Sequence, residues 1–185
     1  MKPDIHIFCE YFPVFADRAS WALNGYAMEL GARLCPADAR EAELAAGRSA
    51  EYAPHSCLLD TVRSGGAVAV CLINGKPEMM WGVRRKGLLT REGEVWALRS
   101  AEPEKYGLRF ARESRRQLAE MVQLSGLTTF ENIVHVENKA AIRWIEWLGF
   151  HIDRKVGKDW LHFQATAEQL LARNLKKEAA HGRGC

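Results

Sequence analysis

The sequence predicts one mixed α/β domain, a central and mostly antiparallel sheet flanked by helices, with an amino-terminal helical extension. Three observations predict it. The 185 residues are 48% apolar and 26% charged, the balance of a globular chain with a single core. Two pairs of β-rich runs are joined by two-residue turn signals, Asn74-Gly75 and Gly157-Lys158. Helix-period segments with caps alternate with short strands through the second half, the order of a sheet covered by helices.

The elements follow in order. An aromatic-rich stretch runs through Phe15, and a helix from Ala16 to Leu23 should stop at Asn24-Gly25. Ala32 to Cys35 reads as a short strand. Pro36 to Gly47 reads as a helix, with Pro at its start, Asp38 and Glu41 in the first turns and Gly47 closing it. Pro54 to Arg63 repeats the pattern, with Leu58, Leu59 and Val62 as its apolar face. Ala67 to Ile73 and Met79 to Val83 form a hairpin about Asn74-Gly75. Glu94 to Arg99 alternates polar and apolar residues as a third strand. Arg109 to Leu124 carries Ala111, Ser114, Leu118, Met121 and Val122 on one helical face, with Gly126 as its cap. Ile133 to Glu137 is a strand, and Asn138 caps a helix whose face is Ala141, Ile142, Ile145 and Leu148 and whose stop is Gly149. Phe150 to Val156 and Trp160 to Gln164 make the second hairpin. Thr166-x-x-Gln169 then opens a last helix as a capping box, with Leu170, Leu171 and Leu175 inward, and a basic tail ends the chain. The division is an extension over 1–31, the sheet domain over 32–166, and a carboxy-terminal helix and tail over 167–185.

Composition excludes several classes. The longest apolar run, Ala67 to Ile73, falls far short of the roughly 20 residues of a membrane helix. Asp4, Glu10 and Asp17 interrupt the first 18 residues, which do not read as a secretory signal. The five cysteines (9, 35, 57, 71 and 185) are scattered, with no metal-ligand or disulfide pattern. Residues 1–60 hold 5 basic and 9 acidic side chains, and the remainder 21 and 14. The basic portion suits a phosphate-bearing ligand or an acidic partner, at a density below that of a dedicated nucleic-acid binder.

The stretch Asn138-Lys-Ala-Ala141-Ile142-Arg-Trp-Ile145-Glu-Trp-Leu148-Gly149-Phe150, following a strand, resembles the closing motif N-x-x-A-x-x-x-Y-x-x-x-G-F of the GNAT acetyltransferase superfamily. The element order from Ala32 to Gln164 fits as well. The resemblance implies a GNAT-like sheet, a small-molecule acetyl donor (acetyl-CoA) and Asn138 as a cofactor contact. Ile145 stands where the family has its tyrosine general acid, and isoleucine has no proton to give. The family's pyrophosphate loop, Q/R-x-x-G-x-G/A, has two frames here. Arg109-Phe-Ala-Arg112-Glu-Ser114 offers Arg109, Arg112 and Ser114 but replaces a glycine with Arg112. Glu104-Lys-Tyr-Gly107-Leu-Arg109 keeps one glycine. Glu94 stands near the strand where some members keep a general base. Arg109, Arg112, Arg115 and Arg116 crowd a helix amino end, where cations are unfavourable unless an anion compensates.

The run R-E-S-R-R-x-L-A-x-M with N-x-x-A-I-R-W-I-x-W-L-G-F is similar to a narrower group, the GNAT-like internal virion protein A proteins of short-tailed bacteriophages, in which a W-x-L strand (Trp96-Ala-Leu98) precedes the long helix. That resemblance implies a role in virion assembly, in the host cytoplasm or associated with the particle. It also implies protein-protein interaction with other phage proteins and no established acetyl-transfer activity, with a degenerate acetyl-CoA site. Trp144 and Trp147 are candidates to anchor such a partner. An active N-acetyltransferase is the alternative, and RNA binding through the basic helix and tail ranks third.

Overall fold

The computed structural model describes residues 8–13, 17–47, 49–87 and 89–172, and of residues 8–13, 17–20, 46, 108 and 109 the backbone alone. Among the described residues seven strands build one sheet: β1 (Phe8–Pro13), β2 (Ala67–Ile73), β3 (Lys76–Arg85), β4 (Glu92–Arg99), β5 (Thr129–His135), β6 (His151–Val156) and β7 (Trp160–Thr166), in the spatial order β1-β2-β3-β4-β5-β7-β6. Every neighbouring pair is antiparallel except β4 and β5. The helices are α1 (Asp17–Gly31), α2 (Pro36–Ala46), α3 (Ala53–Arg63), α4 (Gly107–Ser125) and α5 (Lys139–Leu148). Residues 167–172 are also helical, and their start is the expected capping box: Thr166 N–H donates to Gln169 Oε1 at 2.9 Å and Gln169 N–H to Thr166 Oγ1 at 3.2 Å.

Alternation along β2 and β3 divides the core into two layers, since successive side chains leave opposite faces of a strand. Val68, Val70 and Met80, with Trp96 of β4, pack under Leu23, Ala27 and Leu30 of α1 and Leu58 of α3. Ala69, Cys71, Met79, Trp81 and Val83 pack on the other face against Leu118, Met121 and Val122 of α4 and Ile145 and Leu148 of α5. The hairpin turn joining β2 to β3 needs two left-handed residues, and Asn74 (φ 53°) and Gly75 (φ 77°) supply them.

Three sequence expectations change. α1 does not stop at Asn24-Gly25 but continues to Gly31, because Leu23, Ala27 and Leu30 lie on one buried stripe. Burying that stripe outweighs the roughly 1 kcal/mol that a helical glycine costs. Ala32 to Cys35 is not a strand: the Arg33 N–H bonds to Leu30 O at 2.9 Å in a turn, and Cys35 N–H bonds to Arg99 O at 2.9 Å. The aromatic-rich stretch instead supplies the edge strand β1, where Pro13 is tolerated. Residues 8–13 and 17–31, which the sequence sets apart as an extension, therefore pair and pack with the same sheet as the rest.

Candidate functional site

The parallel junction of β4 and β5 is the sheet's weak seam. Only Glu92, Gly93 and Glu94 pair with Thr129, Phe130 and Glu131, and beyond them the strands diverge. The next ladder bond of that register would run from Ile133 N–H to Val95 O. Asn132 takes both groups: its Nδ2 donates to Val95 O at 2.6 Å and its Oδ1 accepts Ile133 N–H at 2.7 Å. The side chain thus stands in for the ladder at the point where it stops.

At the far end of the gap, α2 crosses from one strand to the other. Asp38 Oδ2 accepts Arg99 N–H of β4 at 2.9 Å, and Glu41 Oε1 accepts His135 N–H of β5 at 3.3 Å. Asn138 ties them together: Nδ2 donates to Asp38 Oδ1 at 3.2 Å and to Glu41 Oε2 at 2.7 Å. Its Oδ1 accepts Ala141 N–H at 3.2 Å as the amino cap of α5. Ala97 lies between these closures on the edge that Val95 and Arg99 turn toward the gap, and it has no ladder partner in β5.

A cavity of about 590 Å³ passes through the gap. On the α4/α5 side it is lined by Ser114, Leu118, Trp144 and Ile145, and on the α2/α3 side by Glu41, Cys57, Glu94 and Trp96. Burial pushes the carboxyls of Asp38 and Glu41 above the usual carboxylate range. For Asp38 the Arg99 charge opposes this, and for Glu41 the Asn138 hydrogen bond opposes it. Burial also pushes the Cys57 thiol up to about 11, which leaves it a poor nucleophile near neutral pH. Glu94 lines the cavity, but its carboxylate is bonded to the Arg84 guanidinium, which also reaches Asp60 of α3 at 3.3 Å.

The residues singled out by sequence separate in space. α4 begins at Gly107 (φ 41°), so the frame ending Gly107-Leu-Arg109 lies at the helix start, and Arg112 and Ser114 lie inside the helix. Ser114 lines the cavity, donates to Ala111 O at 2.9 Å and accepts Trp144 Nε1–H at 3.1 Å. Arg112 is exposed, and the side chain of Arg109 lies outside the described residues. The crowding of arginines is relieved within the chain. Arg115 stacks 3.5 Å over the Trp147 ring and donates to Trp147 O, and Arg116 pairs with Glu113 and Glu120. Ile145 is buried against the cavity, and Trp144 stacks on Phe110 at 6.3 Å. Asp38, Glu41 and Asn132 were not among the sequence candidates. Asp38 and Glu41 had a signal, a spacing of three on one helix, which sets two carboxylates on one face. Among the described residues no group of three or more His, Cys, Asp or Glu could hold a metal ion, and no helix is long and apolar enough to cross a membrane.

No family model and no curated protein matches the chain. Solved structures do. A GNAT-family acetyltransferase from Streptococcus pneumoniae is 14% identical, with TM-score 0.56, over 87% of this chain and 99% of its own. The GNAT domain of S. lividans PAT is 15% identical, with TM-score 0.58, over 85% of this chain and 90% of its own. The structure of yncA from Salmonella typhimurium, with its cofactor acetyl-CoA, is 16% identical, with TM-score 0.56, over 86% and 94%. At these identities the likeness establishes architecture: with its mixed, mostly antiparallel sheet flanked by helices, the chain has the GNAT fold.

Proposed function

We propose that the chain is an acetyl-CoA-dependent N-acetyltransferase whose donor and acceptor meet in the gap between β4 and β5. The observation that carries this reading is the gap itself. Asn132 and α2 occupy the hydrogen-bonding groups at its two ends, and the space between is an open cavity of about 590 Å³ rather than packed side chains. The α4/α5 side offers a largely apolar wall for a thioester arm. At its centre the edge of β4 at Ala97 presents main-chain groups to a carbonyl or amide. The start of α4, with Gly107 in the left-handed region and Arg112 exposed, suits a diphosphate through helix N–H groups. Glycine is spent there only once, so side-chain charge carries more of that grip than in a glycine-rich loop. Ile145 contributes shape and no proton. A thiol of ordinary pKa, about 8.5, leaves as thiolate without a dedicated acid.

Fold neighbours that are acetyltransferases, one of them solved with acetyl-CoA, support the same reading. The virion-assembly role with a disused cleft rests on sequence resemblance around Trp96, Arg112, Arg116 and Asn138 to Gly149. Two of those residues have internal work: the Trp96 indole donates to Thr61 Oγ1 at 2.7 Å, and Asn138 closes the gap. Calorimetric titration with acetyl-CoA, paired with release of free thiol in the presence of primary amines, tests the proposal. Saturable binding with amine-dependent thiol release is expected. An absence of both would return the virion role to first place, to be followed by proteomics of purified particles.

A further inference from the structure

We propose that Glu41, on α2, is the group that takes the proton from the acceptor amine, and that Asn138 positions it; the assignment rests on the acetyl-transfer reading above. Four described carboxylates line the cavity: Asp38, Glu41, Asp60 and Glu94. Three are engaged by guanidinium groups. Asp38 lies 4.0 Å from Arg99 and also accepts a main-chain and an amide N–H, Asp60 pairs with Arg84 and Arg63, and Glu94 pairs with Arg84. Glu41 has no guanidinium or ammonium partner among the described residues. It accepts one N–H at each oxygen, from His135 and from Asn138, which fixes both carboxylate atoms and leaves a lone pair on each for a further donor. It stands where the cavity meets α2, on the face opposite the α4/α5 wall that suits the donor.

The step balances as follows. An acceptor ammonium gives one N–H proton to the Glu41 carboxylate, and the lone pair it frees attacks the thioester carbonyl carbon. The N–C bond forms as the C–S bond breaks, coenzyme A leaves as its thiolate, and the second N–H proton reaches that thiolate through solvent. The charged and titratable groups around Glu41 are Asp38 on its own helix, His135 on β5, and Arg99 on β4 acting through Asp38. Burial and the nearby Asp38 raise the Glu41 pKa toward the range in which a carboxylate is an effective base, while its hydrogen bonds and His135 restrain that rise.

The test compares Glu41→Gln with Glu94→Gln, reading kcat/KM against pH by thiol release from acetyl-CoA, with spermidine, a lysine-bearing peptide and a peptide with a free amino terminus as acceptors. Acetyl-CoA binding is followed by calorimetry alongside. The unaltered chain should lose kcat/KM as acid protonates Glu41. Glu41→Gln should abolish that acid limb and lower kcat/KM by about 10²- to 10⁴-fold with acetyl-CoA affinity retained. Glu94→Gln should keep the limb. A limb that survives Glu41→Gln, or one that vanishes in Glu94→Gln instead, overturns the assignment while leaving acetyl transfer intact. No thiol release by the unaltered chain with any of the amines refutes acetyl transfer and the assignment with it. Carboxyl-carbon NMR of the unaltered chain gives a reading independent of variant folding: a Glu41 pKa at or below that of a free glutamate contradicts the proposal.

Discussion

Replacing Asn138 separates two jobs that one side chain performs. Its Oδ1 caps α5 through Ala141 N–H, and its Nδ2 bridges Asp38 and Glu41 across the strand gap. Asn138→Ser keeps a good capping oxygen and removes the bridge. Asn138→Ala removes both. Hydrogen bonds to charged groups contribute roughly 1.5–3 kcal/mol, and here one amide group is shared between two carboxylates that each keep another donor, Arg99 N–H and His135 N–H. The bridge as a whole is therefore worth about 1.5–3 kcal/mol, and the cap about 1 kcal/mol more. Asn138→Ser should lose about 1.5–3 kcal/mol and Asn138→Ala about 2.5–4 kcal/mol in urea unfolding. In a chain of this size, each kcal/mol should appear as about 2–4 °C in Tm. A serine variant within about 0.5 kcal/mol of the unaltered chain would refute the bridge. Equal losses in the two variants would refute the cap.

Four further outcomes follow from single contacts. Because burial raises the Glu41 carboxyl pKa in the folded chain, its contribution is present at low pH and lost as pH rises through the folded value. The stability of the unaltered chain relative to Glu41→Gln should therefore fall as pH rises above the ordinary glutamate pKa of about 4.3 in urea titrations, and a difference that grows with pH would contradict the shift. Asp153 has the opposite sign: its hydrogen bond to His162, at 2.6 Å, holds the carboxyl below the usual range. Asp153→Asn should thus be destabilising near neutral pH and converge with the unaltered chain in acid. Trp96→Phe should cost about 1–3 kcal/mol in urea unfolding, because the buried Thr61 hydroxyl loses the indole donor at 2.7 Å; a neutral result would place that bond outside the core's energetics. Asn132→Val should let Ile133 N–H reach Val95 O and extend the ladder into the gap, slowing hydrogen exchange at the Ile133 amide and weakening acetyl-CoA binding together. Protection without loss of binding would show that the gap is not the donor site.

What the sequence displays well is local. Asn74-Gly75 marks its hairpin because only left-handed residues make that turn, and Asn138 and Gly149 mark the ends of α5 because a cap needs a side-chain acceptor and a left-handed stop. What it displays poorly is decided by packing. Nothing near Gly25 says that Leu23, Ala27 and Leu30 will find Leu58, Val70 and Met80, and that contact carries α1 past its turn signal. The site follows the same division. Glu94, Ser114, Asn138 and Ile145 could be named because each sits in a motif or a regular element, and all four line the cavity. Asp38 and Glu41 read in sequence as ordinary acids in the first two turns of a helix, since their partners Arg99, His135 and Asn138 are 60 to 100 positions away. Arg112, Arg115 and Arg116 show the converse. A cationic cluster visible in sequence suggests an anion, but folding supplies carboxylates and an indole face for two of its members.

The arrangement at the gap also explains why a sheet would tolerate an interrupted ladder. Diverging strands leave main-chain donors and acceptors without partners, and a buried group in that state costs about 1–3 kcal/mol. Here the exposed edges are met by side chains instead: Asn132 at the near end, and Asp38 and Glu41 at the far end. If the opening were only a packing fault, apolar side chains could fill it and the ladder could close. The sequence instead places two acids in the first turns of α2, where they meet the ends of both strands and suffer the desolvation that raises their pKa values. At position 41 a neutral amide would turn its NH2 toward either His135 N–H or the Asn138 amide nitrogen, both donors, so the two acceptor oxygens of a carboxylate are what the position requires. On the acetyl-transfer reading proposed above, proton transfer is the use proposed for Glu41, the cavity carboxylate with no guanidinium or ammonium partner among the described residues.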